Sequence, residues 1–217
     1  MPFFWLNSNS KVGNMLNLLK SGGVLMIPIL ICGLFATYII IERLVYFASV
    51  KKRDTELRKN LEEALSSNEF AAAEAFCTQT GTPLAHAAKK ALDCRKLTED
   101  DMREIVQCEI DAVAPQFDHW LTLLSTIANI STLLGLFGTV TGNIKAFGVL
   151  GSGGTMGNPA LLASSISEAL MTTAAGLFVA IPSLIFSNYL SRRADKCVTE
   201  MEGTVTKLIL RLTGRVM

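Results

Sequence analysis

The sequence has few charged residues and only two histidines. Charged residues make up 18% of the 217 positions, hydrophobic residues make up 50%, and the mean hydropathy is positive. Such values exclude an ordinary soluble domain and favour a membrane protein with a sizeable aqueous part. The formal net charge is only +1, and aromatic residues are not interleaved with basic ones. Nucleic acid is therefore excluded as a predicted partner.

Paired cysteines and histidine clusters are also absent. The five cysteines form no CxxC pair, and their odd number excludes a closed disulfide framework. Neither His86 nor His119 is near a cysteine cluster, so we predict no metal site and no cofactor. An intramembrane protease needs a nucleophile with a base, but neither histidine lies in a predicted membrane span. Lys145 is the only lysine near the outer ends of the second and third crossings, so a serine–lysine pair lacks support, and we predict no enzyme and no catalytic residue.

Three long apolar runs are the main positive feature of the sequence. The stretches 24–41, 121–144 and 169–191 contain no Asp, Glu, Lys or Arg. Each is long enough for a helix to cross most or all of a hydrocarbon core of about 30 Å. The sequence therefore predicts an all-α membrane protein with three long transmembrane helices. We place these helices at 22–47, 119–147 and 161–191.

Between the first two crossings, residues 48–118 read as a helical cytoplasmic domain. Apolar residues recur there at helical spacing, and strand-like alternation is absent. Gly81-Thr82-Pro83 predicts a helix break with Pro83 at the first position of the next helix. Thr98 with Asp101 resembles a capping box that opens another helix. We expect that helix to run through Pro115, bent there, into the second crossing.

The remaining segments are short. Residues 1–21 are no convincing signal peptide and are predicted to be an interfacial segment anchored by Phe3, Phe4 and Trp5, with a frayed terminus as the alternative. Residues 148–160 form a loop whose GSGGTMGNP stretch lacks the GK[ST] ending of a phosphate-binding loop. Residues 192–217 form a charged amphipathic C-terminal helix.

Lysine and arginine predict the orientation. Eleven lie in residues 43–118 and six in the tail, against two before the first crossing and one between the second and third. Basic residues near helix ends mark the cytoplasmic side. We therefore expect a multi-pass membrane protein whose N-terminus lies outside and whose large helical segment and C-terminus lie in the cytoplasm.

Small and hydroxyl residues recur at steps of three or four on the second and third crossings, which is typical of helices that pack closely or line a polar passage. Glu168 is the only acid within reach of the hydrocarbon, and it is either an interfacial carboxylate or a proton or cation site. The hydroxyls of Thr139 and Thr173 either bond to their own backbone or line a wet path. The residues predicted to form a packing or pore-facing surface are Gly135, Gly138, Gly142, Ala169, Gly176, Ala180 and Ser183.

Two of these stretches resemble a known family. LLGLFGTVTG (133–142) and ISEALMTTAAGLFVAIP (166–182) are similar to the signature stretches of the ExbB/TolQ/MotA proton-channel family. Three crossings resemble ExbB and TolQ more than the four-crossing MotA. The chain departs from the family at Ser131-Thr132, where Ala-Pro is frequent.

The resemblance implies a protein of the bacterial inner membrane with a periplasmic N-terminus and a cytoplasmic C-terminus. It also implies a pentamer around a central pore that holds two single-span ExbD- or TolR-type partners, each with one membrane aspartate. It implies that Thr139 and Thr173 face the pore near that aspartate and that Glu168 lies near the outer end. Proton flow would then drive mechanical work on a TonB- or TolA-type protein, in contact with membrane lipids. The alternatives are a TolQ-type subunit of the Tol-Pal motor, a MotA-like stator and a non-conducting membrane scaffold.

Overall fold

The computed structural model describes residues 23–67, 69–151 and 159–214, and within these ranges the chain forms helices and no strands. Seven helices are present in the described residues. They are α1 (Met26–Ser66), α2 (Phe70–Thr80), α3 (Pro83–Asp93), α4 (Glu99–Val113), α5 (Pro115–Asp118), α6 (Leu121–Gly151) and α7 (Pro159–Leu212). Residues 1–21, with the predicted anchors Phe3, Phe4 and Trp5, and most of the glycine-rich loop lie outside the described residues.

Three helical segments are long and apolar enough to cross a membrane: α1, the stretch Glu99–Gly148 that includes most of α6, and α7. Their large apolar side chains point outward, as shown by Leu34 and Phe178, which are 74% and 81% exposed. Water would disfavour so much apolar surface, whereas lipid accepts it. The chain is therefore an all-α, multi-pass membrane protein, which confirms the predicted fold class.

The chain divides into two compact units. The first, called the membrane unit, comprises the described residues of 1–40 and 123–187. In it Gly23 lies beside Glu168 and Gly33 beside Val179, so α1 and α7 run parallel. Gly135 lies beside Thr173. Farther along the chain Gly142 lies beside Ala169, so α6 runs antiparallel to α7. These directions agree with three successive crossings.

The second unit, called the polar unit, comprises the described residues of 41–122 and 188–214. Its helix boundaries follow local sequence signals. Gly81, at a φ of 60°, ends α2, and Pro83 occupies the first turn of α3. The Thr82 side chain accepts a hydrogen bond from the backbone N–H of Ala85, and Thr98 accepts one from Asp101 at the start of α4. The predicted break and cap are both confirmed.

Helical periodicity also predicts the apolar core of the polar unit. Side chains from α1, α2, α3, α4 and α7 are buried there at less than one-tenth exposure. They include Leu57, Leu61, Ala73, Leu84, Ala88, Leu92, Met102, Val106, Met201, Val205 and Leu208. Because these residues recur at helical spacing on each helix, one apolar side of each element faces the core.

The predicted helix from Thr98 is interrupted at Pro115, where we predict a bend, but it does not continue into the second crossing as predicted. Helix α4 ends at Val113, α5 begins at Pro115, and α6 begins only at Leu121. Pro115 has no backbone N–H to continue the α4 hydrogen bonds. Trp120 then adopts a φ of 68°, which a helix cannot accommodate.

The interrupted segment is held by a buried arginine. Arg43 is 3% exposed, donates to the Gln116 carbonyl at 3.3 Å and lies 2.9 Å from Nδ1 of His119. Its Nε lies 3.0 Å from a Glu42 carboxylate oxygen, and its guanidinium lies over the Tyr46 ring. A buried cation needs such partners, since an unpaired charge there would be costly.

One prediction follows for the thiols of the polar unit. Cys77 is 2% exposed, and its burial raises the pKa of the thiol to about 11. Because the thiolate is the reactive species, we expect iodoacetamide at pH 8 to modify the exposed Cys108 at least about tenfold faster than Cys77. Peptide mass spectrometry of the detergent-solubilised chain measures both rates. Equal rates in the folded protein would contradict this packing, and labelling in denaturant is the control.

Candidate functional site

Helices α6 and α7 approach so closely that several positions admit only glycine. A Cβ atom added at Gly176 would lie 2.5 Å from the Ser131 carbonyl oxygen, and one added at Gly138 would lie 2.6 Å from the Thr172 side chain. Real Cβ contacts are longer than this, so backbone or side chains would have to move. The small residues of the two crossings therefore pack against each other within one chain, and we call this contact the α6–α7 seam.

The other predicted small residues of α7 also lie inside the membrane unit. Ala169, Ala180 and Ser183 are 3%, 6% and 1% exposed. The Ser183 hydroxyl donates to the Val179 carbonyl of its own helix at 2.7 Å. At Gly135, an added Cβ would lie 3.2 Å from the Thr173 backbone, and Gly142 contacts Ala169. In a single subunit these residues therefore serve helix packing.

The two predicted threonines make different hydrogen bonds. The Thr173 hydroxyl donates across the seam to the Gly135 carbonyl at 2.8 Å, and it also lies 3.2 Å from the Ala169 carbonyl of its own helix. The Thr139 hydroxyl donates to the Leu136 carbonyl of its own helix at 2.6 Å. Both residues are half-buried. Thr173 thus links two helices, whereas the Thr139 hydroxyl makes a bond within one.

Glu168 forms an ion pair with Lys145. The Lys145 ammonium lies 2.8 Å from Oε1 of Glu168, and the two side chains are 57% and 28% exposed. Gly23, at a φ of 67°, lies against the Glu168 carboxylate where any Cβ would clash. The Thr172 hydroxyl donates to the Glu168 backbone carbonyl at 2.8 Å. The carboxylate is therefore paired and partly exposed.

Sequence reasoning missed the Glu168–Lys145 pair. A signal existed, because these are the only charged residues at the predicted outer ends of the second and third crossings. What was lacking was the register between α6 and α7. Gly142 contacts Ala169. Because α6 and α7 are antiparallel, Lys145, three residues after Gly142, can reach Glu168, which directly precedes Ala169.

The Glu168–Lys145 ion pair and the two threonine hydroxyls lie at different levels along α6 and α7. Thr173 lies five residues beyond Glu168 on α7, and Thr139 lies six residues before Lys145 on α6, so each hydroxyl is about 7–9 Å along its helix from the ion pair. Because the helices are antiparallel, both hydroxyls lie on the same side of the pair. Hydroxyl groups can donate and accept hydrogen bonds along a path but do not themselves hold a charge near neutral pH.

The structure offers no metal centre among the residues it describes: no group of three or more His, Cys, Asp or Glu side chains is placed to hold a metal ion. The candidate site of the membrane unit consists of the Thr139 and Thr173 hydroxyls, the Glu168–Lys145 ion pair and the α6–α7 seam.

Comparisons with known proteins bear on this arrangement. Residues 79–203 match the model of a family described as the MotA/TolQ/ExbB proton channel family. The matched range contains Thr139, Lys145, Glu168 and Thr173 and covers more than half of the chain.

Individual relatives agree with this match. An ExbB-like biopolymer transport protein of Synechocystis is 31% identical over 169 residues, which cover 77% of this chain and 80% of the relative. The biopolymer transport protein ExbB of Neisseria gonorrhoeae is 27% identical over 82% of this chain and 85% of its own length. The Tol-Pal system protein TolQ of Haemophilus influenzae is 46% identical over 36% of this chain and 34% of its own length. The resemblance noted in the sequence is confirmed, and the chain belongs to the MotA/TolQ/ExbB proton channel family.

Proposed function

We propose that this chain is a proton-channel and motor subunit of the bacterial inner membrane, which works with an ExbD-type partner to convert proton motive force into mechanical work on a TonB-type protein. The observation that carries the proposal is the placement of Glu168, Thr139 and Thr173, which lie at successive levels of the membrane unit inside the family match. The proposed topology has a periplasmic N-terminus and a cytoplasmic C-terminus.

The chain supplies only part of a proton path. Residues 24–41, 121–144 and 169–191 contain no acid, and Glu168 lies near one end of its crossing. A group that takes up and releases protons at mid-membrane must therefore come from another chain, and a single-span partner with one aspartate meets this requirement. Each charge that crosses 100 mV gains about 2.3 kcal/mol, so several protons would be needed for useful work.

An oligomeric ring would explain the exposed apolar surfaces of the membrane unit. Side chains such as Leu133, Phe137 and Phe178 are 63%, 53% and 81% exposed. In the proposed pentamer, some of these contact neighbouring copies and others contact lipid. The pore would then be formed by copies of α6 and α7 around the partner helices, with Thr139 and Thr173 reaching it.

Two observations support an ExbB-type role over the other motors. The ExbB relative from Neisseria is similar over most of both chains, whereas the TolQ relative is similar over about a third of each. The structure has three candidate crossings among the described residues, which fits ExbB and TolQ better than a four-crossing MotA-like stator. A Tol-Pal role is the alternative.

One observation favours a second candidate, the non-conducting membrane scaffold. The small residues of α6 and α7 pack against each other within one chain, so the small-residue pattern by itself requires no pore. In a scaffold, threonine-to-valine changes of equal size would leave function intact. Bulky replacements at Gly138 or Gly176 would abolish assembly in either case.

We expect native mass spectrometry to detect a five-fold ring of this chain that takes up two copies of a co-expressed single-span partner with a membrane aspartate. The numbers of copies are those implied by the family resemblance. The partner is needed because the chain lacks its own mid-membrane acid. The matched control is the same partner with its aspartate replaced by asparagine, which should still assemble but not conduct. A monomer or dimer that ignores the partner would remove the central-pore proposal.

Thr139→Val is the cleanest test of the pore-facing assignment, because the Thr139 hydroxyl bonds to its own helix and, among the described residues, to no other helix. We expect proton flux through the reconstituted complex to fall about tenfold, as a lost hydrogen bond worth about 1.4 kcal/mol in the limiting step would cause. Thr139→Ser keeps the hydroxyl and should conduct normally. Normal flux in Thr139→Val and in Thr173→Val would show that neither residue faces a proton path.

Glu168 and Lys145 are tested together. If Glu168 relays protons, Glu168→Gln should abolish flux while Lys145→Met retains at least half of it, because only the carboxyl exchanges protons. If the pair is merely structural, both variants should lose activity alike, and the exchanged pair Glu168→Lys with Lys145→Glu should restore it. Oligomer size by native mass spectrometry separates lost conduction from lost assembly.

A further inference from the structure

The polar unit contains a second polar cluster, which the proposed proton path does not use. A pocket of about 200 Å³ lies between one side of α1 and one side of α7. On each helix the lining residues follow the same spacing of three, one and three positions, so each set lies on one side of its helix. The pocket is lined by Lys51, Asp54, Thr55, Arg58, Arg193, Lys196, Cys197 and Glu200.

The charges of this pocket do not balance. Four of the lining residues are basic and two are acidic. Glu200 is already compensated, because Arg58 lies 3.7 Å and Lys196 3.8 Å from its carboxylate. Lys51 and Arg193 form no ion pair within the described part of the chain. The pocket therefore presents excess positive charge, which attracts an anionic group.

Two buried atoms of the pocket have no hydrogen-bond partner among the residues that the structure describes. One is an acceptor, Oδ1 of Asp54, and the other is a donor, Nε of Arg58. They lie on the same side of α1, one helical turn apart. Leaving such groups unpaired costs about 1–3 kcal/mol each, so native structures seldom do so without a reason. A ligand that both accepts and donates hydrogen bonds would satisfy both atoms.

The Asp54 carboxyl is well placed for such a ligand. Burial raises its pKa, against a hydrogen bond from Thr82 and the charge of Arg58, both of which lower it. Thr82 is itself 3% exposed and caps α3, so it holds one side of the carboxyl in place. The opposite oxygen, Oδ1, remains for a donor on the ligand.

The pocket lies close to the predicted membrane surface. Lys51 follows the predicted end of the first crossing by four residues, and Arg193 follows the end of the third by two, distances of about 6 Å and 3 Å along a helix. The headgroup layer on each side of the hydrocarbon is about 5–7 Å thick. The two unpaired cations therefore lie at the depth of lipid phosphates.

We propose that this pocket binds a phosphate group that carries a neighbouring hydrogen-bond donor. Lys51, Arg193 and Nε of Arg58 contact the phosphate oxygens, and Oδ1 of Asp54 accepts from the donor. A phospholipid headgroup with a hydroxyl or ammonium group provides this chemistry, and so does free hydrogen phosphate. The inference depends on the multi-pass topology but not on proton conduction.

The test uses the full chain in detergent. Native mass spectrometry measures its binding of phosphatidylglycerol, phosphatidylethanolamine and phosphatidylcholine. Phosphatidylcholine has the same phosphate but no hydrogen-bond donor in its headgroup. We expect it to bind about tenfold more weakly than the other two, as the loss of one charge-assisted hydrogen bond implies. Asp54→Asn should reduce this preference. Calorimetry with inorganic phosphate tests the free anion in parallel.

Matched variants separate the pocket from general surface attraction. The double variant Lys51→Gln with Arg193→Gln should lower affinity for the preferred lipid about tenfold or more. The control, Lys52→Gln with Arg192→Gln, removes the same charges one position away from exposed sites and should change affinity less than about twofold. Thermal unfolding checks that both double variants are folded.

Several outcomes would overturn the proposal. Equal losses in the two double variants would mean nonspecific attraction to the membrane surface, and equal binding of the three lipids would remove the role of Asp54. A change of oligomer size in the pocket variant alone would assign the pocket to contact with a second copy. If the three lipids do not bind but inorganic phosphate does, and the pocket double variant weakens phosphate binding, the site is supported with a free anion as its ligand. Because none of these measurements uses proton flux, they can fail independently of the proposed motor.

Discussion

The close approach of α6 and α7 is the constraint on which the membrane unit depends. Without a Cβ at Gly138 and Gly176, backbones and side chains reach distances that other residues would prevent. Inside lipid, where apolar surfaces gain little from leaving their surroundings, such close packing is a main source of helix association. The same approach brings the Thr173 hydroxyl to the Gly135 carbonyl and sets the register that places Lys145 beside Glu168.

That register determines which polar groups of α6 and α7 come together in the candidate site. The membrane unit contains hydroxyls and one paired carboxylate, but its apolar crossings hold no mid-membrane acid. In the proposed motor, such a chain would position a proton path, and a partner would supply the mid-membrane group that changes charge. Membership of the proton channel family and this division of roles agree with each other.

The polar unit follows a different physical logic. Its helices α3 and α4 are short, capped and amphipathic, and water supplies the driving force that lipid does not. Where α1 and α7 meet in this unit, the chain combines one buried carboxyl oxygen and one buried guanidinium nitrogen with cations that form no ion pair among the described residues. Such a combination is poorly suited to stability alone, because unsatisfied buried groups oppose folding. A ligand that forms hydrogen bonds with these groups would remove that unfavourable contribution, so the arrangement is better suited to binding a ligand.

The sequence by itself determined the all-α class, the three crossings, the break at Gly81 to Pro83 and the family, because each depends on local composition, period or motif. It did not reveal that the segment leading to α6 is interrupted at Trp120, where φ is positive, or that the distant Arg43 contacts Gln116 and His119 just before it. Nor could it show which small residues contact each other or that Glu168 pairs with Lys145. These features depend on the register between helices, which only the tertiary structure decides, because spacing within one helix carries no information about its neighbour.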